Sequence, residues 1–147
     1  MRILERTISG LSKLPGIGRK SASRIPDFLL KADLTHVEEL VGSIQRLRQQ
    51  LRNCGTCGNY AEEDPCEICS DLSRDRSSIC VVEEPKDVHT LESTREYLGL
   101  YHVLMGVISP IDGVGPQNLR IRQLLERVRS ESVREVIVAT NPTLEGE

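Results

Sequence analysis

The chain has 147 residues, enough for one ordinary domain or for two or three small modules, and no stretch of it approaches the roughly 20 apolar residues that a membrane helix needs. Aromatic residues make up 3% of it, with no Trp and one Phe, so a core has to be built from Leu, Ile and Val. The net charge of −3 conceals an asymmetry: residues 1–52 carry a net +5, residues 53–80 a net −4 and residues 81–147 a net −4, which suits an anionic partner at the front and a basic partner at the rear.

Residues 3–13, "ILERTISGLSK", space Ile3, Leu4, Ile8 and Leu11 for a first helix. The N-terminal stretch is charged throughout and lacks an apolar run before a small-residue cleavage site, so a signal peptide is not expected. Pro15 and Gly16 end this helix, Gly18 turns the chain, and a second helix starts near Arg19. Pro26 is expected to kink or stop it about seven residues in. Residues 35–52 predict a third helix, with Thr35 and Glu38 as a capping box and Val37, Leu40, Val41, Ile44, Leu47 and Leu51 as one apolar stripe. A Gly-, Asn-, Asp- and Pro-rich stretch follows, too short for a hydrophobic core of its own. The pattern then alternates: strand 79–83, helix 86–98, strand 102–108, helix 118–130 and strand 135–140, a β-α-β-α-β order that implies a parallel sheet. The chain stops at "NPTLEGE", where a further helix should begin, and it reads as a fragment of a longer protein.

The sharpest motif is "CGTCGNYAEEDPCEIC", in which Cys54, Cys57, Cys66 and Cys69 form two C-x-x-C pairs eight residues apart. Two such pairs complete a tetrahedral zinc site with no position left for water or substrate, so the metal, one Zn2+ ion, is structural and supplies the folding energy of its module. Reduced cysteines, or two disulfides in a secreted domain, are the alternatives. Zinc spacing without an export signal points to a reducing cytoplasm. Cys80 is expected to be a small buried apolar side chain.

"LPGIGRKSA" (14–22) has the mechanics of a phosphate grip. Gly16 and Gly18 allow a tight turn and close backbone approach, Ile17 anchors the turn, and the amides opening the next helix can bond a phosphate oxygen. Arg19, Lys20 and Arg24 add positive charge, with Lys20 and Arg24 on one helical face. Such contacts hold a nucleic-acid backbone without reading bases. The alternative is a helix–helix corner. The h-x-G-h-G-x-x-x-A pattern resembles that of the helix-hairpin-helix family, which implies non-specific DNA binding.

Taken together, "LPGIGRKSA", the four cysteines, "ICVVEEPKDVHTLE", "YHVLMGVISPIDGVGP" (101–116) and "ATNPTLEGE" (139–147) resemble the RecR family of bacterial recombination mediators over the whole chain. The resemblance implies an α+β, multi-module fold: a helix-hairpin-helix domain at 1–52, a four-cysteine zinc finger at 53–78 that fixes the hinge, and an incomplete Toprim domain at 79–147 with a parallel sheet. "VEEP" (82–85) puts Glu83 at the Toprim metal-binding glutamate, whereas Asn141 and Thr143 stand where that fold carries metal-binding aspartates. Neutral side chains there imply a protein that is not an enzyme. The resemblance further implies that Glu83, Asp87, Glu145 and Glu147 cluster at the strand ends and bind the partner RecO, with RecF as a second partner, to load RecA on single-stranded DNA. It implies sequence-independent binding of single- and double-stranded DNA, and a homo-oligomer for the full-length protein. Capping of a helix near Thr143 is the other use for some of these acids. A magnesium-dependent Toprim nuclease and a zinc-ribbon interaction module without a DNA role are the rival functions.

Overall fold

The computed structural model describes residues 2–130, 132–143 and 146. They fall into two compact units, residues 1–49 and 50–147.

The first unit is helical: α1 (Arg2–Leu11), α2 (Arg19–Lys31) and α3 (Leu34–Gln50). α1 and α2 pack against each other, and α2 buries Ala22 and Pro26. Pro26 does not stop α2, which continues to Lys31 and closes on an Ala32 N–H to Phe28 C=O bond of 2.9 Å. A helical proline forfeits one backbone hydrogen bond, and burial of the Pro26 ring offsets part of that cost. The cap of α3 also differs from the one predicted. Asp33, not Thr35, sits at its start, its Oδ1 accepting the Thr35 N–H at 2.8 Å and its C=O accepting the Val37 N–H at 3.2 Å; a carboxylate one position before the helix outcompetes a hydroxyl already inside it. The stripe on α3 forms as predicted but is uncovered: Leu40, Val41, Ile44 and Leu47 are exposed, and α3 buries no residue.

The second unit opens with a small antiparallel pair, β1 (Arg52–Asn53) and β2 (Tyr60–Ala61), followed by the one-turn helix α4 (Glu67–Ser70). A three-stranded parallel sheet follows, in the order β4-β3-β5, from β3 (Asp75–Val82), β4 (Gly99–Val103) and β5 (Glu135–Val138). The crossovers are α5 (Pro85–Thr94) and α6 (Ile121–Ser130), with a 3-10 turn (Pro116–Asn118) ahead of α6. Period-two alternation sorts the core. Cys80 and Val82 join Tyr101, Val103 and Val88 of α5 on one face; Ile79 and Val81 join Leu100, with Leu124 of α6 against them, on the other.

The second strand of this sheet in chain order, β4, lies at 99–103 rather than 102–108. "GLYHV" is buried at every position, the habit of a parallel strand covered on both faces. The chain then leaves the ladder because Met105 adopts φ +68° and Gly106 φ +143°. α5 ends at Thr94, four residues early, because Arg95 turns into the left-handed region at φ 59°.

Candidate metal centre and nucleic-acid interface

The four predicted ligands converge. The sulfurs of Cys54, Cys57, Cys66 and Cys69 all lie within 4.8 Å of one another, and all four residues are buried. Zn–S bonds of about 2.3 Å at tetrahedral angles hold sulfurs about 3.8 Å apart, so the cluster fits the ion. The first pair sits on a tight knuckle. Gly58 N–H bonds the Cys54 carbonyl at 2.8 Å, Cys54 N–H bonds the Asn59 carbonyl at 2.7 Å, and Asn59 N–H points at Cys57 Sγ at 3.4 Å. Gly58 takes φ +83°, where a side chain would strain the turn. In the second pair Cys66 N–H donates to Cys54 Sγ at 3.3 Å, tying the two pairs together.

As bare thiols these sulfurs oppose one another. A hydrogen bond with Cys66, followed by burial, pushes the Cys57 thiol up to about 12. Cys69 is likewise driven upward by Cys57 and Cys66, while donation from Cys57 draws Cys66 down to about 2. Cys66 tolerates ionisation while Cys57 and Cys69 resist it, the behaviour of a pocket that wants a divalent cation among its sulfurs.

The zinc module is bonded to the sheet. Val103 N–H of β4 donates to the Cys57 carbonyl at 2.7 Å, Arg76 Nη2 of β3 to the Cys69 carbonyl at 2.9 Å, and Arg120 Nη2 to the Gly55 carbonyl at 2.8 Å. Ile68 of α4 packs against the sheet core on one side and the cysteine cluster on the other. Nothing in the local pattern around Arg76 or Arg120 singles these residues out from the sequence.

In the first unit the loop between α1 and α2 turns as a hairpin, closed by Ile17 N–H to the Leu14 carbonyl at 3.1 Å. Gly16 needs its φ of +78°, and Gly18 starts α2 with no side-chain cap. The amides of the first turn therefore point outward with no internal acceptor from a capping side chain. Arg19, Lys20 and Arg24 are all exposed, and Ile17 is half-buried beneath the turn.

Of the four acids expected to cluster at the strand ends, Glu83 and Asp87 lie among the described residues. Glu83 follows β3 and is 8% exposed. Its Oε1 accepts the Asn141 N–H at 2.8 Å and its Oε2 accepts Asn141 Nδ2 at 2.6 Å. The loop after β5 is further closed by Gly146 N–H to the Thr143 carbonyl at 3.0 Å. Both Glu83 oxygens accept donors from within the chain, since a buried carboxylate needs them. Asp87 is also engaged, its Oδ2 accepting the Glu84 N–H at 2.9 Å at the start of α5, although it stays half-exposed. Glu145 and Glu147 lie outside the described residues. Cys80 is buried, as expected, and burial pushes its thiol up. His102 is buried as well, with Nε2 on the Arg120 carbonyl at 2.8 Å.

A helical hairpin with a basic rim, a four-cysteine centre and a Toprim-type parallel sheet define a class of multi-module, metal-stabilised proteins. Residues 4–48 match the family model for the RecR helix-hairpin-helix, residues 51–71 that for the RecR four-cysteine zinc finger domain, and residues 77–147 that for the Toprim domain. The recombination protein RecR of Tropheryma whipplei (strain Twist) is 55% identical over 147 residues, 100% of this chain and 74% of that protein. RecR of Streptomyces coelicolor is 53% identical over 145 residues, 99% of this chain and 73% of its own length. RecR of Moorella thermoacetica is 50% identical over 144 residues, 98% and 72%. The chain belongs to the RecR family, and its four cysteines form that family's structural zinc site. Among the described residues, no helix is long and apolar enough to cross a membrane.

Proposed function

We propose that the chain is a non-catalytic mediator of recombinational DNA repair that acts in the cytoplasm. Its hairpin grips sugar-phosphate backbones of single- and double-stranded DNA through Arg19, Lys20, Arg24 and the amides beside Gly16 and Gly18. The observation that carries this reading is the uncapped start of α2 with three exposed basic side chains around it. The module boundaries we adopt are 1–52, 53–78 and 79–147.

The want of catalysis rests on the Toprim end. A metal-binding Toprim site needs charged carboxylates converging on the glutamate after the first strand. Here Asn141 gives its backbone N–H to one oxygen of that glutamate and its side-chain amide to the other, and a neutral Thr143 follows. The remaining acids, Asp87 with Glu145 and Glu147, serve as a docking surface for RecO, with RecF as a second partner. The exposed α3 stripe supports a homo-oligomer.

The test is RecA assembly on single-stranded DNA coated with single-strand-binding protein, in the presence of RecO. Addition of the chain shortens the lag, and Asp87→Lys removes the effect. Plasmid cleavage in magnesium that disappears in Glu83→Gln would replace this reading with a nuclease.

A further inference from the structure

Resting on the zinc assignment above, we propose that Arg120 is a positioning residue for the metal centre. It holds the first cysteine knuckle in ligating shape, and zinc occupancy in turn orders the 104–120 segment that carries it. The observations form one connected set. Arg120 Nη2 donates to the Gly55 carbonyl at 2.8 Å and approaches that of Thr56 at 3.4 Å, and these two residues separate Cys54 from Cys57. Its guanidinium lies over Gly58, where an added Cβ would sit 3.0 Å from Arg120 Nε and 3.1 Å from the Val103 carbonyl. The glycine that the knuckle needs for its turn also makes room for the arginine.

The seat of Arg120 is fixed from the sheet side. Its N–H donates to the Leu104 carbonyl at 3.0 Å, and its carbonyl meets His102 Nε2 at 2.8 Å. Val103, next along β4, donates to the Cys57 carbonyl. The backbone of the knuckle is therefore held at Gly55 and Cys57 by groups that β4 positions. Arg76 makes a single bond to the Cys69 carbonyl from an exposed side chain and contributes less.

The charge of Arg120 calls for a partner. Its Nε is buried and has no hydrogen-bond acceptor among the described residues. A buried cationic N–H left unpaired is costly. Four cysteine sulfurs closed around one Zn2+ carry a net negative charge beside it, and that field offsets the cost. Coupling of this kind is reciprocal: if zinc steadies the arginine, the arginine must strengthen zinc binding by the same factor.

The experiment is zinc competition on the whole zinc-loaded chain with the chromophoric chelator 4-(2-pyridylazo)resorcinol. Groups that orient metal ligands are typically worth about 10- to 100-fold in affinity, and Arg120→Met is expected to weaken zinc binding within that range. Arg120→Lys keeps a charge but cannot span two carbonyls, and it falls between; it serves alone if the methionine variant does not fold. Val88→Ala empties part of the buried face under α5 away from the knuckle, so it lowers Tm and leaves zinc affinity unchanged. Hydrogen exchange gives the reciprocal readout: stripping zinc speeds exchange across 104–120 and spares α5. Unchanged zinc affinity in both arginine variants, an equal loss in Val88→Ala, or unchanged protection of 104–120 after stripping overturns the proposal. A parent chain that holds no zinc by elemental analysis would instead remove the zinc assignment on which it stands.

Discussion

Asn141→Asp is the most informative single change at the Toprim end. The amide donates to a Glu83 oxygen at 2.6 Å in a site where Glu83 is 8% exposed. Replacing it puts a second carboxylate against the first. At an effective dielectric of about 20, two charges about 3 Å apart repel by about 5 kcal/mol. The pair escapes by sharing one proton, which also restores a donor to Glu83. Holding that proton at pH 7 on a group whose unperturbed pKa is about 3.9 costs about 4 kcal/mol, the smaller figure and therefore the operative one. The sign follows. The folded-state pKa of the new group is raised, so the folded state regains stability as pH falls toward 4 and loses it as pH rises. Each pH unit is worth about 1.4 kcal/mol. In a unit of roughly 100 residues this lowers Tm by about 20 °C at pH 7. Thermal unfolding by circular dichroism between pH 4.5 and 7 checks both magnitude and slope. Magnesium should recover much of the loss by bridging the two carboxylates. A variant that melts with the parent at every pH, with or without magnesium, would refute the clasp between Glu83 and Asn141.

Two further outcomes are expected. Glu92 of α5 forms a bidentate pair with the half-buried Arg74, and that hydrogen bond holds its carboxyl below the usual range. The stability it contributes is complete above the unfolded pKa of about 4.3 and is lost as pH falls through the lower folded value. Glu92→Gln should lower the urea midpoint at neutral pH and flatten the acid limb; an unchanged acid limb would contradict the pairing. On α3, Ile44→Glu with Leu47→Glu should shift the mass in solution from oligomer to monomer, and a parent that is already monomeric would count against self-association through that face.

How much the sequence disclosed differs by element, for physical reasons. The cysteines were legible because metal ligation fixes residue type and local spacing together, and their sulfurs converge within 4.8 Å. The hairpin was legible for a similar reason: the turn at Gly16 needs its left-handed φ. The two parallel crossovers followed from period changes. Less visible were features set by partners distant in sequence. Arg120 reaches the knuckle across 65 residues, and Asn141 meets Glu83 across 58. No local pattern encodes such pairings. The strand at 99–103 was legible only in part: His102 and Val103 fell within the expected strand, but a Gly99 start and the turn at Met105, with φ +68°, are not reported by hydropathy. Exposure of the α3 stripe was invisible too, since periodicity reports that a face is apolar and not what covers it.

The claim that matters most is that the hairpin holds a nucleic-acid backbone. It is tested by titrating the binding of single- and double-stranded DNA against salt, for the parent and for Lys20→Glu with Arg24→Glu. The account predicts that log affinity falls linearly with log salt at about 0.7–0.9 per phosphate contacted. The double variant should bind weakly to every sequence, with a slope shallower by about two contacts. Equal binding by parent and variant, or no binding by the parent even at low salt, would contradict it.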